Sequence, residues 1–215
     1  MPRLGQISRA DAPAGVAAVY DAVFGGRDPV SEPGTATGSR GDWWTVMANV
    51  PELLAAFAGQ FAVFNSPDRE LPARWRELAI TRVGFVTGSR FVYSQHSKVA
   101  RAVGVSAEEV EAVRAWASSK AFGDDERRVL AYVDELVLQD GRVQDATFEA
   151  LRTLLSDAAI LELTVVAATY RLHATISRAL RLEFDDVAEE IAEVPGPAGF
   201  RDEDLLRLLA GEPAS

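Results

Sequence analysis

Arg76-Glu77-Leu78-Ala79-Ile80-Thr81-Arg82-Val83-Gly84-Phe85-Val86-Thr87-Gly88-Ser89-Arg90-Phe91-Val92-Tyr93-Ser94-Gln95-His96 reads as two helices meeting at Thr87-Gly88-Ser89. The first opens at Pro72, a residue suited to the first helical position, and runs to Thr87. The second spans about Ser89 to Val103 and ends at Gly104. A Gly-Ser break this short makes the two an antiparallel pair. Glu77 shares its helix face with Ala73, Thr81, Gly84 and Gly88, small or modest neighbours that leave room beside a carboxylate. His96 has Val92, Val99 and Val103 on its own stripe, so its imidazole is expected to point inward. An inward Glu facing an inward His is either a proton-transfer couple or a buried hydrogen bond that holds two helices together. Burial raises the Glu77 pKa and an adjacent imidazolium lowers it.

Working outward from this pair, apolar residues recur at spacings of three and four and no sustained alternation appears, so the fold class is all-α. A first helix covers about Ala12 to Phe24. A Gly, Pro and Ser-rich connection, about 25–42, reads as a long mobile loop of the kind that covers a site. Trp43 and Trp44 precede a helix that opens at Pro51-Glu52-Leu53-Leu54. Ser106-Ala107-Glu108-Glu109 is a capping box. Further helices are expected over about 124–139, 145–155 and 158–182, the last too apolar to lie wholly on the surface. After Pro195-Gly196-Pro197, residues Asp202 to Leu209 carry four leucines that need an apolar partner.

The chain has 215 residues, the size of one domain, and 1–215 is read as such. It contains no cysteine, which removes disulfides, thiolate metal sites and thiol-based catalysis. Two histidines and no metal-ligand motif argue against a metal site. The net charge of −10 disfavours nucleic acid, and no apolar run approaches the length of a membrane span. The chain reads as a cytoplasmic protein. Its charge is uneven: the arm 183–215 holds ten acids against Arg201 and Arg207. Residues 68–101 hold seven basic side chains against three acids, which marks that stretch for a small anion.

The Glu77 to His96 spacing resembles the site motif of the carboxymuconolactone decarboxylase and alkylhydroperoxidase-D-like superfamily. There a Glu is followed, after eleven residues, by Cys-x-x-Cys, three residues and a His. In this sequence the corresponding positions are Glu77, Ser89, Val92 and His96, so the outer two match and both cysteines are replaced. Thr87-Gly88-Ser89 and Gln95-His96 are similar to the cysteine-free, decarboxylase-like branch, with Arg90, Phe91, Val92 and Tyr93 departing from its pattern. The likeness covers about residues 44–182. It implies a helical bundle with a central antiparallel pair, a homo-oligomer built on threes (trimer or hexamer), and no cofactor.

Thiol peroxidase chemistry, which the wider family implies, needs a thiolate and a resolving thiol, and this chain has neither. What the resemblance leaves is acid–base chemistry on a small anionic, carboxylate-bearing or lactone-type metabolite. Glu77 and His96 would move protons, Arg82 or Arg90 would hold the anion, and Ser89 and Tyr93 would donate hydrogen bonds. Trp44 is a candidate pocket wall, and His173 reads as a core or interface histidine. The other reading is a non-catalytic oligomeric scaffold or ligand-binding homolog of the same fold. An oligomer is also expected from the residues, because the long apolar helix and the four leucines of 202–209 exceed what one copy covers.

Overall fold

Helical periodicity carries through to the architecture. A computed structural model describes residues 1–183 and 194–196, and all regular structure among them is helical. The chain divides into two compact units, the first containing residues 1–67 and the described residues from 176 onward, the second residues 68–175. The expected leucine-bearing segment 202–209, and most of the acidic arm, lie outside the described residues.

In the first unit α1 (Ala14–Phe24) buries Val16, Tyr20 and Phe24 and packs on α3 (Pro51–Asn65), which opens with proline in its first turn. Between them lies α2 (Asp42–Met47), a helix the sequence reading does not include. Six residues are too few for a helical period to show. Trp43 sits at the centre of an aromatic cluster with Trp44, Phe57 and Phe61, ring centroids 5.1–5.7 Å away. The connection between α1 and α2 folds on itself: Thr35 N donates to the Ser39 carbonyl at 2.8 Å and the two hydroxyls pair at 2.9 Å, both residues buried. Gly41, at φ 89°, is required there, since a Cβ would fall 2.4 Å from the Phe24 ring.

In the second unit α4 (Ala73–Val86) is the central element, with every residue from Arg76 to Gly84 buried. A helix buried on all sides needs partners all round. α4 finds them in α5 (Arg90–Ala102), in α7 (Asp124–Leu138) and in the 3₁₀ turn Val113–Ala115 that follows α6 (Ala107–Ala112). Leu78, Ala100, Val105, Val110, Val113, Phe122 and Leu130 form a continuous apolar core. The Ser106–Glu109 capping box is formed in full at the start of α6. α8 (Asp145–Arg152) packs on α7. The long helix α9 (Asp157–Leu180) buries Ala159, Ile160, Leu163, Val166, Ala167, Tyr170 and Ala174, and exposes Leu161, Val165 and Leu172. No helix among the described residues is long and apolar enough to cross a membrane.

The α4–α5 contact fixes the site. A Cβ on Gly84 would lie 2.6 Å from Tyr93 N and 2.8 Å from Tyr93 Cα. The small residue expected to leave a pocket beside Glu77 is instead where the backbone of α5 seats against α4.

Candidate active site

Glu77 leaves the middle of α4 and His96 the middle of α5, and the two meet: His96 Nδ1 lies 2.8 Å from Glu77 Oε2. The other carboxylate oxygen, Oε1, accepts from Arg76 Nε at 2.9 Å. Burial pushes the Glu77 carboxyl up, but His96 and Arg76 together outweigh it and hold the group below its ordinary value. Glu77 is therefore an ionised carboxylate, 1% exposed, with both oxygens engaged. An ionised carboxylate at Nδ1 requires a proton on that nitrogen, so in the neutral form of the ring the lone pair is on Nε2. Nε2 makes no hydrogen bond with any described residue, is not among the sealed polar atoms, and belongs to a side chain that is 13% exposed. The ring nitrogen without a partner among the described residues is thus His96 Nε2, and Glu77 fixes the ring through Nδ1.

Rings wall the imidazole. Tyr170 of α9 meets His96 edge-on with centroids 4.4 Å apart, and His173, one turn later, lies 5.9 Å from Tyr170 and edge-on to Phe91 at 5.4 Å. Burial, with the Glu77 charge nearby, pushes the Tyr170 phenol up, so it stays neutral. Burial, reinforced by His96, lowers His173 to about 3 and keeps it uncharged. The sequence reading assigns neither Arg76 nor Tyr170 to the site. The signals for them are the direct adjacency of Arg76 to Glu77, and the Tyr-x-x-His spacing that puts Tyr170 and His173 on one helix face.

Of the remaining expected site residues, Arg82, Ser89 and Tyr93 make contacts of their own. Arg82, expected as an anion clamp, forms a two-pronged ion pair with Asp134 at 2.6 and 2.8 Å, and its Nη1 donates to the carbonyls of Val113 and Arg114. It ties α4 to α7 and to the 3₁₀ turn. Ser89 is buried and caps α5 by accepting from Val92 N at 3.2 Å. Tyr93 donates to the Val110 carbonyl and accepts from Arg114 Nε, whose guanidinium covers its ring at 5.1 Å. Arg90 is the first residue of α5 and half-buried. Trp44 belongs to the first unit, in the Trp43 cluster.

The basic stretch 68–101 is also largely consumed. Arg69 pairs with Glu162, Arg74 with Glu109 and Glu126, Arg76 with Glu77 and Arg82 with Asp134. Apart from Glu77, the acids that pair with this stretch come from other helices. Among the described residues no group of three or more His, Asp or Glu side chains is placed to hold a metal ion.

The site is an antiparallel helix pair presenting a buried Glu–His dyad, and comparison with known proteins shows what it is similar to. The profile of the carboxymuconolactone decarboxylase family matches residues 43–135. Over those residues the chain is similar to that family, and the sequence contains no cysteine. Among solved structures it is similar to the debrominase Bmp8, in a variant complexed with 2,3,4-tribromopyrrole. That match has 18% identity and a TM-score of 0.64, covering 86% of this chain and 95% of the other. An alkylhydroperoxidase AhpD core protein of Ralstonia eutropha matches at 16% identity and a TM-score of 0.62, over 83% of this chain and 93% of its own. The Agrobacterium tumefaciens protein ATU0492 matches at 23% identity and a TM-score of 0.55, over 63% and 92%. At these identities the likeness is one of fold. No curated protein sequence matches the chain.

Proposed function

We propose that the protein is a cofactor-independent acid–base enzyme, with lyase or isomerase chemistry and no thiol peroxidase activity. The observation that carries this reading is the dyad: a buried, ionised Glu77 fixes the imidazole through Nδ1 and leaves Nε2 to face a substrate. His96 Nε2 removes a proton from a carbon next to a carbonyl. The positive charge that develops on the ring is met by Glu77, which Arg76 keeps from rotating away. The substrate is a small carboxylate-bearing or lactone-type metabolite. Its anionic group is assigned to Arg90, about 9 Å along α5 from His96 at a rise of roughly 1.5 Å per residue. The acid on the departing bond is the same imidazole, now protonated, because Glu77 has no oxygen turned to the substrate.

The test is proton exchange and turnover over a panel of lactones and unsaturated carboxylates, followed by NMR in deuterated water. His96→Ala and Glu77→Gln each lower the rate by about 10² or more, and Arg90→Ala raises KM with kcat little changed. With one base serving both transfers, part of a label removed from carbon returns to the product. Folded His96→Ala protein that exchanges and turns over substrate at the wild-type rate overturns the proposal. Absence of exchange with every substrate is the outcome of the second reading, a scaffold or ligand-binding homolog. What favours that reading is the pair of former thiol positions, now a capping hydroxyl at Ser89 and a buried Val92.

A further inference from the structure

In the first unit the chain leaves α9 through a turn built against the preference of its residues. Arg181 and Glu183 stand at φ 55° and 56°, the left-handed region that residues with a side chain rarely adopt. Leu182 between them is fully buried, and its N–H donates to the Ser177 carbonyl at 2.8 Å. Two such residues within three positions persist only where contacts outside the turn hold them.

Those contacts are a reciprocal pair of carboxylates. Glu183 Oε1 accepts from Trp43 N at 3.2 Å, and Oε2 accepts from Gly41 N at 3.3 Å. In return Glu183 N donates to the Asp42 carboxylate, which also accepts from Gln6 Nε2 at 2.9 Å. Both acids are buried. Asp42 faces Glu183 from α2. Arg40, half in solvent, has its Nε 3.8 Å from Asp42, and the N-terminal amino group also acts on Asp42. Arg3 of the N-terminal segment is bound to the Ala179 carbonyl, and Arg178 and Arg181, on the element that carries Glu183, are exposed. With Glu183 protonated the pair holds one negative charge. With both acids ionised it holds two like charges removed from water.

A second fastening lies further along the chain. Val194 N donates to the Gly38 carbonyl at 3.0 Å, and Arg27 Nη1 donates to the Pro195 carbonyl at 3.3 Å. Amides, carbonyls and a guanidinium make this one indifferent to pH.

We propose that the Glu183 contact is a proton-operated latch: protonated, Glu183 holds the 181–183 turn against α2, and ionised beside Asp42 it lets the strained turn lift away while the Val194 and Pro195 contacts stay closed. Burial first, and then the Asp42 charge, pushes Glu183 up to about 8, which agrees with a closed latch at neutral pH. Lifting the turn returns the carboxyl to its ordinary 4.5. The open fraction therefore rises by up to about tenfold per pH unit between about pH 5 and 8 and levels off above that. The latch is independent of the chemistry assigned to His96.

Limited trypsin digestion of the full-length protein reads the latch. The bond after the exposed Arg181 is shut to a protease while Leu182 is buried and bonded to Ser177, so cutting there requires the turn to lift. Mass spectrometry follows the cut across the neutral to mildly alkaline range. Each rate is divided by trypsin's rate on a short peptide carrying the same bond at the same pH, which removes the protease's own pH dependence. The ratio is expected to climb about tenfold over the last one and a half pH units below 8 and then to flatten. Glu183→Gln is expected to show no climb, and Asp42→Asn, which removes the neighbouring charge, to flatten at a lower pH. Cutting after Arg27, which belongs to the second fastening, is expected to show no such climb. A wild-type ratio that does not change with pH overturns the proposal. So does an Asp42→Asn profile identical to the wild type, or cutting after Arg27 that climbs in step with Arg181, which would mean that the whole unit opens.

Discussion

Replacing Gly84 by alanine tests the packing on which the dyad depends. The added Cβ would sit 2.6 Å from Tyr93 N, 2.8 Å from Tyr93 Cα and 3.1 Å from the Val92 carbonyl carbon, against an ordinary contact of 3.4 Å or more. All three neighbours are backbone, so no side chain can rotate away. The two helices must part by about 0.8 Å, the difference between 2.6 and 3.4 Å. Overpacking of this kind costs about 1–3 kcal/mol, of which alanine's better helix propensity returns about 1 kcal/mol. The net loss is about 0–2 kcal/mol, a fall in the urea midpoint of up to roughly 1 M for a typical slope, and the gap to a helix glycine with open space around it is the full 1–3 kcal/mol. The same parting stretches the 2.8 Å contact between Glu77 and His96 past the usual hydrogen-bond limit, so turnover falls with stability. Gly59→Ala is the control: it also lies in a helix, but a Cβ there meets nothing within 4 Å. Equilibrium urea unfolding followed by circular dichroism reads both variants. A Gly84→Ala protein as stable as Gly59→Ala would refute the close-approach argument.

Two further outcomes follow from the charges inside the units. Arg82→Lys keeps a charge but loses the fork that joins Asp134 to the Val113 and Arg114 carbonyls, and is expected to destabilise by roughly 3 kcal/mol, with KM unchanged if the variant still folds; a raised KM at wild-type stability would return Arg82 to the substrate. Glu183, buried, close to Asp42 and accepting from Gly41 N and Trp43 N, is pushed up to about 8 from its ordinary 4.5, first by burial and then by the Asp42 charge. The folded state thus binds this proton more tightly than the unfolded chain. The stabilisation is full below about pH 4.5 and is lost as pH rises through 8. Glu183→Gln should flatten the fall in urea midpoint between about pH 5 and 8, and an unchanged slope would show that Glu183 does not titrate there.

How much of this was legible in the sequence depends on how far apart the deciding residues stand. Glu77 and His96 are nineteen residues apart on successive helices, and helical periodicity alone brings them inward and opposite. The Ser106–Glu109 box and Pro51 at a helix start are local chemistry, and both formed as read. Arg82 could not be read this way, since its partner Asp134 stands 52 residues away and only the packing of α4 on α7 makes them neighbours. For Gly84 the sequence shows that a side chain is absent but not what occupies its place. Here the occupant is backbone.

These contacts also bear on the chemistry proposed for the site. With Ser89, Tyr93 and Arg82 tied to backbone and to other helices, and with both Glu77 oxygens bound, four of the expected site residues support the site without facing a substrate. Under the proposed chemistry one nitrogen, His96 Nε2, transfers the protons. Under the proposed chemistry, a carboxylate held on the imidazole stabilises the positive charge that the ring gains with the substrate's proton. The buried Arg76 then has a clear physical part. Without it the desolvated Glu77 would drift toward its neutral form and the dyad would lose the charge on which the base depends. Its replacement by an uncharged residue therefore acts on the base through Glu77, two bonds of the network away from any substrate.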